Sequence, residues 1–172
     1  MEEFKKIITV VFLFFICFMC IGCSKEEKEV SLFQKEFLQY DDLELDNADI
    51  VQDSNEKEIN QLLQNGTGVV FIGKATDKLS RKAISILLSA SDNTDLKKIY
   101  YLDDYQSIDG LEEIENIKIP IVLFVLDGKI EKYHVGTVED KVDLDEDQTL
   151  ELYNIYLDGI HVVLQDTCDE SC

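Results

Sequence analysis

Apolar positions from Asn47 onward fall into short blocks whose spacing alternates between that of helices and that of strands. Asp53-Ser54-Asn55-Glu56 carries a helix-start signal, Ile59, Leu62 and Leu63 form one apolar face, and Asn65-Gly66 closes the segment. Val69-Val70-Phe71-Ile72-Gly73 is continuously apolar, as a strand covered on both faces should be. Thr76-Asp77 starts a second helix with Leu79, Ala83, Ile84, Ile86, Leu87 and Leu88 apolar, ending near Asp92. Ile99 to Leu102 reads as a second buried strand, Gly110 to Ile114 as a short helix and Ile121 to Leu126 as a third strand. Asp127-Gly128 is a two-residue hairpin signal, and Ile130 to Val135 alternates as the returning edge strand. Asp147 to Leu164 supplies a last amphipathic helix. No repeat or internal linker interrupts this order, which implies one α/β domain over residues 48–172.

The chain before that domain has a different texture. Ile7 to Met19 is almost wholly apolar and follows Lys5 and Lys6. It is shorter than the about 20 residues that span hydrocarbon, and its length suits the apolar part of a signal peptide. Cys20-Ile21-Gly22-Cys23 resembles the bacterial lipobox, in which small residues precede a cysteine that becomes thioether-linked to diacylglycerol. Gly22 and Cys23 match the pattern, whereas Cys20 stands where leucine is commonest. The resemblance implies a signal peptide over 1–22, lipidation at Cys23, and a protein held by its lipid at the extracytoplasmic face of the cell membrane. The competing reading is an uncleaved signal anchor with a buried cysteine. Residues 23–47 mix charge with Leu32, Phe33, Phe37, Leu38 and Tyr40, and read as a lipidated tether and a partly ordered lead-in.

Composition narrows the partners. Thirty-six acidic and 16 basic residues give a net charge of −20, which repels nucleic acid and anionic headgroups while allowing cationic peptides or divalent ions. The chain is 45% hydrophobic, enough to fill a core. Of five cysteines, Cys168 and Cys172 alone would remain after cleavage and lipidation. Their Cys-x-x-x-Cys spacing in an oxidising compartment reads as a local disulfide candidate.

The predicted order of elements is similar to that of thioredoxin. Phe71-Ile72-Gly73 leads through Lys74-Ala75-Thr76 into a helix, as the first central strand of thioredoxins leads into the redox turn. Pro120, the only proline, directly precedes the hairpin strand, and Asp127-Gly128-Lys129 and Val135-Gly136-Thr137 match the family's hairpin turn and late glycine. The segments 66–73, 99–103, 128–130 and 133–138 resemble thioredoxin-like lipoproteins of Gram-positive bacteria related to the bacteriocin transport accessory family. The resemblance covers roughly residues 50 to 172. It implies a central mixed sheet with flanking helices, a cis bond before Pro120, and a groove near that proline for an exported peptide or protein.

The departure from the family lies in the redox turn. Where Cys-x-x-Cys is expected, the chain has Asp77-Lys78-Leu79-Ser80, followed by Arg81-Lys82. Disulfide exchange needs an attacking thiolate and a resolving thiol, and neither side chain supplies one. Asp77 instead places an anion at a helix start, where the dipole favours it by roughly 0.3–1 kcal/mol. The sequence therefore points to a non-catalytic binding or accessory protein that needs no cofactor. The alternative is an oxidoreductase using Cys168 and Cys172 as a displaced redox pair. The flanking Asp166, Asp169 and Glu170 disfavour a thiolate and support a structural bridge.

Three other features read as structural. Asp143-x-Asp145-x-Asp147 has the opening spacing of a calcium loop, but Gln148 occupies its glycine position and Asn154 its bidentate glutamate, leaving an acidic loop before a helix. His134 and His161 lie on different predicted elements without metal-site spacing.

Overall fold

Two hydrophobic clusters, one on each face of a five-stranded sheet, organise the chain. The computed structural model describes residues 30–165 apart from 42, 44 and 46, so Cys23, Cys168 and Cys172 lie outside the described residues. The elements are α1 (Leu32–Phe37), β1 (Val51–Asp53), α2 (Glu56–Asn65), β2 (Gly68–Ile72), α3 (Lys78–Ser91), β3 (Ile99–Leu102), β4 (Ile121–Leu126), β5 (Lys129–Val135) and α4 (Glu146–Leu164). The sheet order is β1-β3-β2-β4-β5, with β1 and β2 parallel to β3 and with β4 antiparallel to both β2 and β5. This mixed sheet with helices on both faces is the thioredoxin-like arrangement expected from the element order.

The continuous apolar runs explain the centre of the sheet. All five residues of β2 are buried, and alternate positions feed opposite faces. Val69, Phe71, Val122 and Phe124 join the cluster under α3 and α4, whereas Val70, Ile72, Ile121 and Leu123 join the one under α2. Asp127 and Gly128 have φ of +50° and +78°, the two positive angles a tight hairpin turn needs. That turn docks on the end of α2, where the Gly128 N–H donates to the Gly66 carbonyl at 2.7 Å. At the start of α4, Asp145 caps the helix and forms a reciprocal capping box with Gln148. The acidic triplet 143–147 is therefore a helix lead-in.

Several local features differ from the sequence reading. Gly66 ends α2 in an extended conformation with φ −102°, so the helix closes without a left-handed residue. The segment near Gly110 forms a single 3-10 turn over Leu111–Glu113. Strand β1 has only three residues, of which Val51 alone is buried, too few to show a period.

The larger difference is the lead-in. Phe33 and Phe37, one helical turn apart on α1, are both fully buried. Their rings stack at 4.6 Å between centroids and meet the Tyr101 ring edge-on at 5.1 and 5.7 Å. The Asp53 carboxylate at the end of β1 accepts from the Leu32 and Phe33 N–H groups at 2.5 and 2.8 Å, so the sheet edge anchors the helix start. Burial and the neighbouring Glu36 carboxylate hold the Tyr101 hydroxyl well above its ordinary pKa, keeping it neutral. Phe33 and Phe37 are thus part of the core. Truncating Phe37 to Ala should cost about 3–5 kcal/mol in urea unfolding, whereas Leu38→Ala next to it, 60% exposed, should stay within about 0.5 kcal/mol. Equal small effects would mean that α1 is not docked.

Candidate functional site

The candidate site is built where β2 ends and α3 begins. Gly73 follows β2 and donates its N–H to the Leu102 carbonyl at 3.0 Å, which keeps the chain in the sheet for one more residue. The Lys74 to Thr76 segment then turns into α3, closed by an Asp77 N–H to Lys74 carbonyl bond of 3.0 Å. Asp77 is the N-cap of α3, with extended backbone. Its carboxylate accepts from the Leu79 and Ser80 N–H groups at 3.3 and 2.8 Å, satisfying donors that a helix start leaves unpaired.

The same carboxylate also accepts the Ser80 hydroxyl at 2.6 Å. Ser80 is fully buried, and its oxygen in turn accepts the Lys74 N–H at 3.2 Å. The two positions where the family carries its cysteines are therefore joined side chain to side chain, by a charge-assisted hydrogen bond. Gly73 makes room for this: a Cβ there would lie 2.9 Å from the Ser80 oxygen and 2.8 Å from the Phe71 ring. The polar link is satisfied at both ends, which is what allows a hydroxyl to sit fully buried beneath the turn.

Pro120 lies beside this turn by strand register. Ile72 pairs with Ile121 in the antiparallel β2–β4 ladder, which places buried Pro120 opposite Gly73. The Ile119–Pro120 bond is cis, and the Pro120 carbonyl accepts the Gly136 N–H at 2.7 Å. Asp77, Ser80 and Pro120 thus gather at one end of the central strands.

Charged groups that sequence reading did not assign frame the turn. The Lys74 ammonium bonds the Asp104 carboxylate at 2.6 Å, which raises the lysine pKa and lowers that of the aspartate. Glu56, at the start of α2, accepts from the Gln106 and Ser107 N–H groups, and these bonds hold its pKa low. The loop after β3 is thereby tied to both α2 and the turn, and its Asp103 and Asp104 make this flank acidic. Because these contacts join residues 30 to 51 positions apart, no local motif announces them.

Arg81, which follows the turn, is turned inward. It is 6% exposed, donates to the Ala75 carbonyl at 2.8 Å, and lies 4.1 Å from the centre of the Tyr40 ring. Its guanidinium fastens the lead-in to the turn. The two histidines are far from this chemistry in role: His161 is exposed on α4, and His134 on β5 packs edge-on against Tyr156, where burial lowers its pKa. Among the described residues no group of His, Cys, Asp and Glu is arranged to hold a metal ion.

The turn's stability can be read directly. Asp77→Ala removes the cap and strands the buried Ser80 hydroxyl, and should cost about 1–3 kcal/mol in urea unfolding. Thr76→Ala, at an exposed neighbour, should change stability by less than about 0.5 kcal/mol.

No protein-family model matches the sequence, and no curated protein matches it. Among solved structures, the chain is similar to thioredoxin from Aeropyrum pernix at 18% identity, over 48% of this chain and 73% of that one, with a TM-score of 0.35. The overlap is slight, and the strand order, strand directions and helix placement carry the conclusion: the domain has a thioredoxin-like fold.

Proposed function

We propose that this protein is a membrane-anchored, extracytoplasmic lipoprotein whose thioredoxin-like domain binds an exported peptide or protein as a non-catalytic accessory. The observation that carries the proposal is the 2.6 Å bond between Asp77 and Ser80. A carboxylate and a buried hydroxyl cannot exchange disulfides, yet they hold the helix start beside Pro120. What survives is a surface for an extended chain beside the turn, with Ile119 half-buried and the acidic loop after β3 on its flank. That flank favours a cationic or neutral segment over an acidic one.

The anchor follows from the Gly22-Cys23 pattern and the short apolar run before it. No helix among the described residues is long and apolar enough to cross a membrane. With Ser31 capping α1 on the domain, the chain from Ser24 to Val30 is the whole tether, with a reach of at most about 25 Å. The domain on this reading works close to the bilayer.

Two measurements test the proposal. Cys23→Ala should move the protein from the membrane to the soluble fraction or leave it unprocessed; a variant that fractionates like wild type with the same N-terminus would remove the lipoprotein reading. The purified protein should reduce insulin disulfides no faster than the solvent background, and Cys168→Ser with Cys172→Ser should change nothing. Robust activity that disappears in this double variant would establish the C-terminal pair as a redox centre.

A further inference from the structure

Among the described residues one side of β5 has no strand partner, and a groove of about 450 Å³ runs beside it on the face covered by α2. Its apolar lining comes from three separate parts of the fold: Leu63 on α2, Ile114 after the 3-10 turn, and Ile130 and Tyr133 on β5. Tyr133 is 50% exposed, a large ring left open in the middle of a strand. Asp109 and Glu113, both exposed, stand on one wall, and Lys129 stands on the hairpin opposite. Hydrogen bonds hold the walls in place. Asn60 on α2 accepts the Asp109 N–H at 2.9 Å and donates to the Ser107 carbonyl at 3.1 Å, while the Gly128–Gly66 bond fixes the hairpin. The groove is preformed.

We propose that this groove is a docking site for a partner-protein segment that presents an apolar side chain flanked by lysine or arginine. The apolar floor gains by leaving water, as at the centre of protein interfaces. Two carboxylates on one wall select positive charge, and a chain of net charge −20 draws such a segment in at long range while repelling acidic ones. Lys129 gives the groove a polarity, so that the cationic flank of the segment lies toward Asp109 and Glu113. Strand addition by a second copy is disfavoured on two counts. Exposed Lys132 sits on the edge, and the irregularity between Phe124 and Val125 leaves Glu131 without a partner on β4. A second copy would also bring another −20 charges.

This groove is separate from the turn beside Pro120. Pro120 precedes the first residue of β4 and the hairpin follows its last, so the length of β4, about 20 Å, lies between them. The inference therefore stands whether or not the turn binds a peptide.

The test uses the full chain in a zwitterionic detergent and two fluorescein-labelled peptides, Gly-Lys-Lys-Phe-Lys-Lys-Gly and its counterpart with glutamate in place of lysine. Anisotropy should show the cationic peptide binding at least about tenfold more tightly, with an affinity that falls as salt rises. Replacing Asp109 and Glu113 together by lysine should weaken binding by about tenfold, and Tyr133→Ala by about fivefold, whereas Glu146→Gln, at an exposed position outside the groove lining, should leave it unchanged. Circular dichroism checks that each variant is folded, and Glu113→Lys alone serves if the double variant is not. A benzophenone in place of the peptide's phenylalanine should cross-link to residues 109–114 or 129–133. Cross-links confined to other regions, equal affinity for the acidic peptide, indifference to the charge reversals, or no binding at all would each overturn the proposal.

Discussion

The carboxylate of Asp77 is the constraint on which the functional end of this fold depends. A helix start exposes N–H groups that must find acceptors, and here it also lies above a fully buried hydroxyl. One side chain meets both demands, accepting two backbone N–H groups and the Ser80 hydroxyl. Ser80 passes the network on to the Lys74 N–H, and the Lys74 side chain passes it to Asp104 on the loop after β3. Turn, helix and loop are thus held by one run of polar contacts. A cysteine thiolate at a helix start gains from the same dipole and N–H groups. A carboxylate there keeps that electrostatic benefit and lacks the nucleophile.

The opposite side of the turn is held by the lead-in. Arg81 bonds the Ala75 carbonyl and faces Tyr40, and α1 inserts two phenylalanines among Phe71 and Tyr101. Aromatic groups from chain positions more than 60 residues apart therefore share one cluster under the sheet. This arrangement fixes the first described helix at the β1 edge. The proposed anchorage then keeps the domain near the bilayer while its β5 edge, on the far side of the sheet, remains open.

Legibility followed the length and regularity of each element. The apolar runs of β2 and β4, the Asp-Gly turn and the periodic faces of α3 and α4 identify themselves, because each repeats its signal or carries a distinctive turn chemistry. α1 offers only a single i, i+4 pair, Phe33 and Phe37, among charged residues, and β1 offers one buried valine. Their places are set by tertiary contacts, Asp53 to the start of α1 and Val51 beside Ile99, which no local pattern contains. At the site, Asp77 and Ser80 were legible because a helix start limits where a cap can be. The roles of Lys74, Asp104 and Glu56 were not, since each bonds across the fold. The burial of Arg81 runs against its charge, and the Ala75 carbonyl and the Tyr40 ring that receive it belong to no local pattern.

We propose that the frame of a redox domain persists here with its chemistry replaced by a hydrogen bond. The most direct measurement is insulin reduction by the Asp77→Cys, Ser80→Cys double variant, made in a Cys168→Ser, Cys172→Ser background. Two thiols placed on this helix start, beside Pro120, should form a disulfide and turn over with a reductant, where the background protein does not. A folded double variant that forms the disulfide but shows no turnover, or one in which the two cysteines never pair, would contradict it.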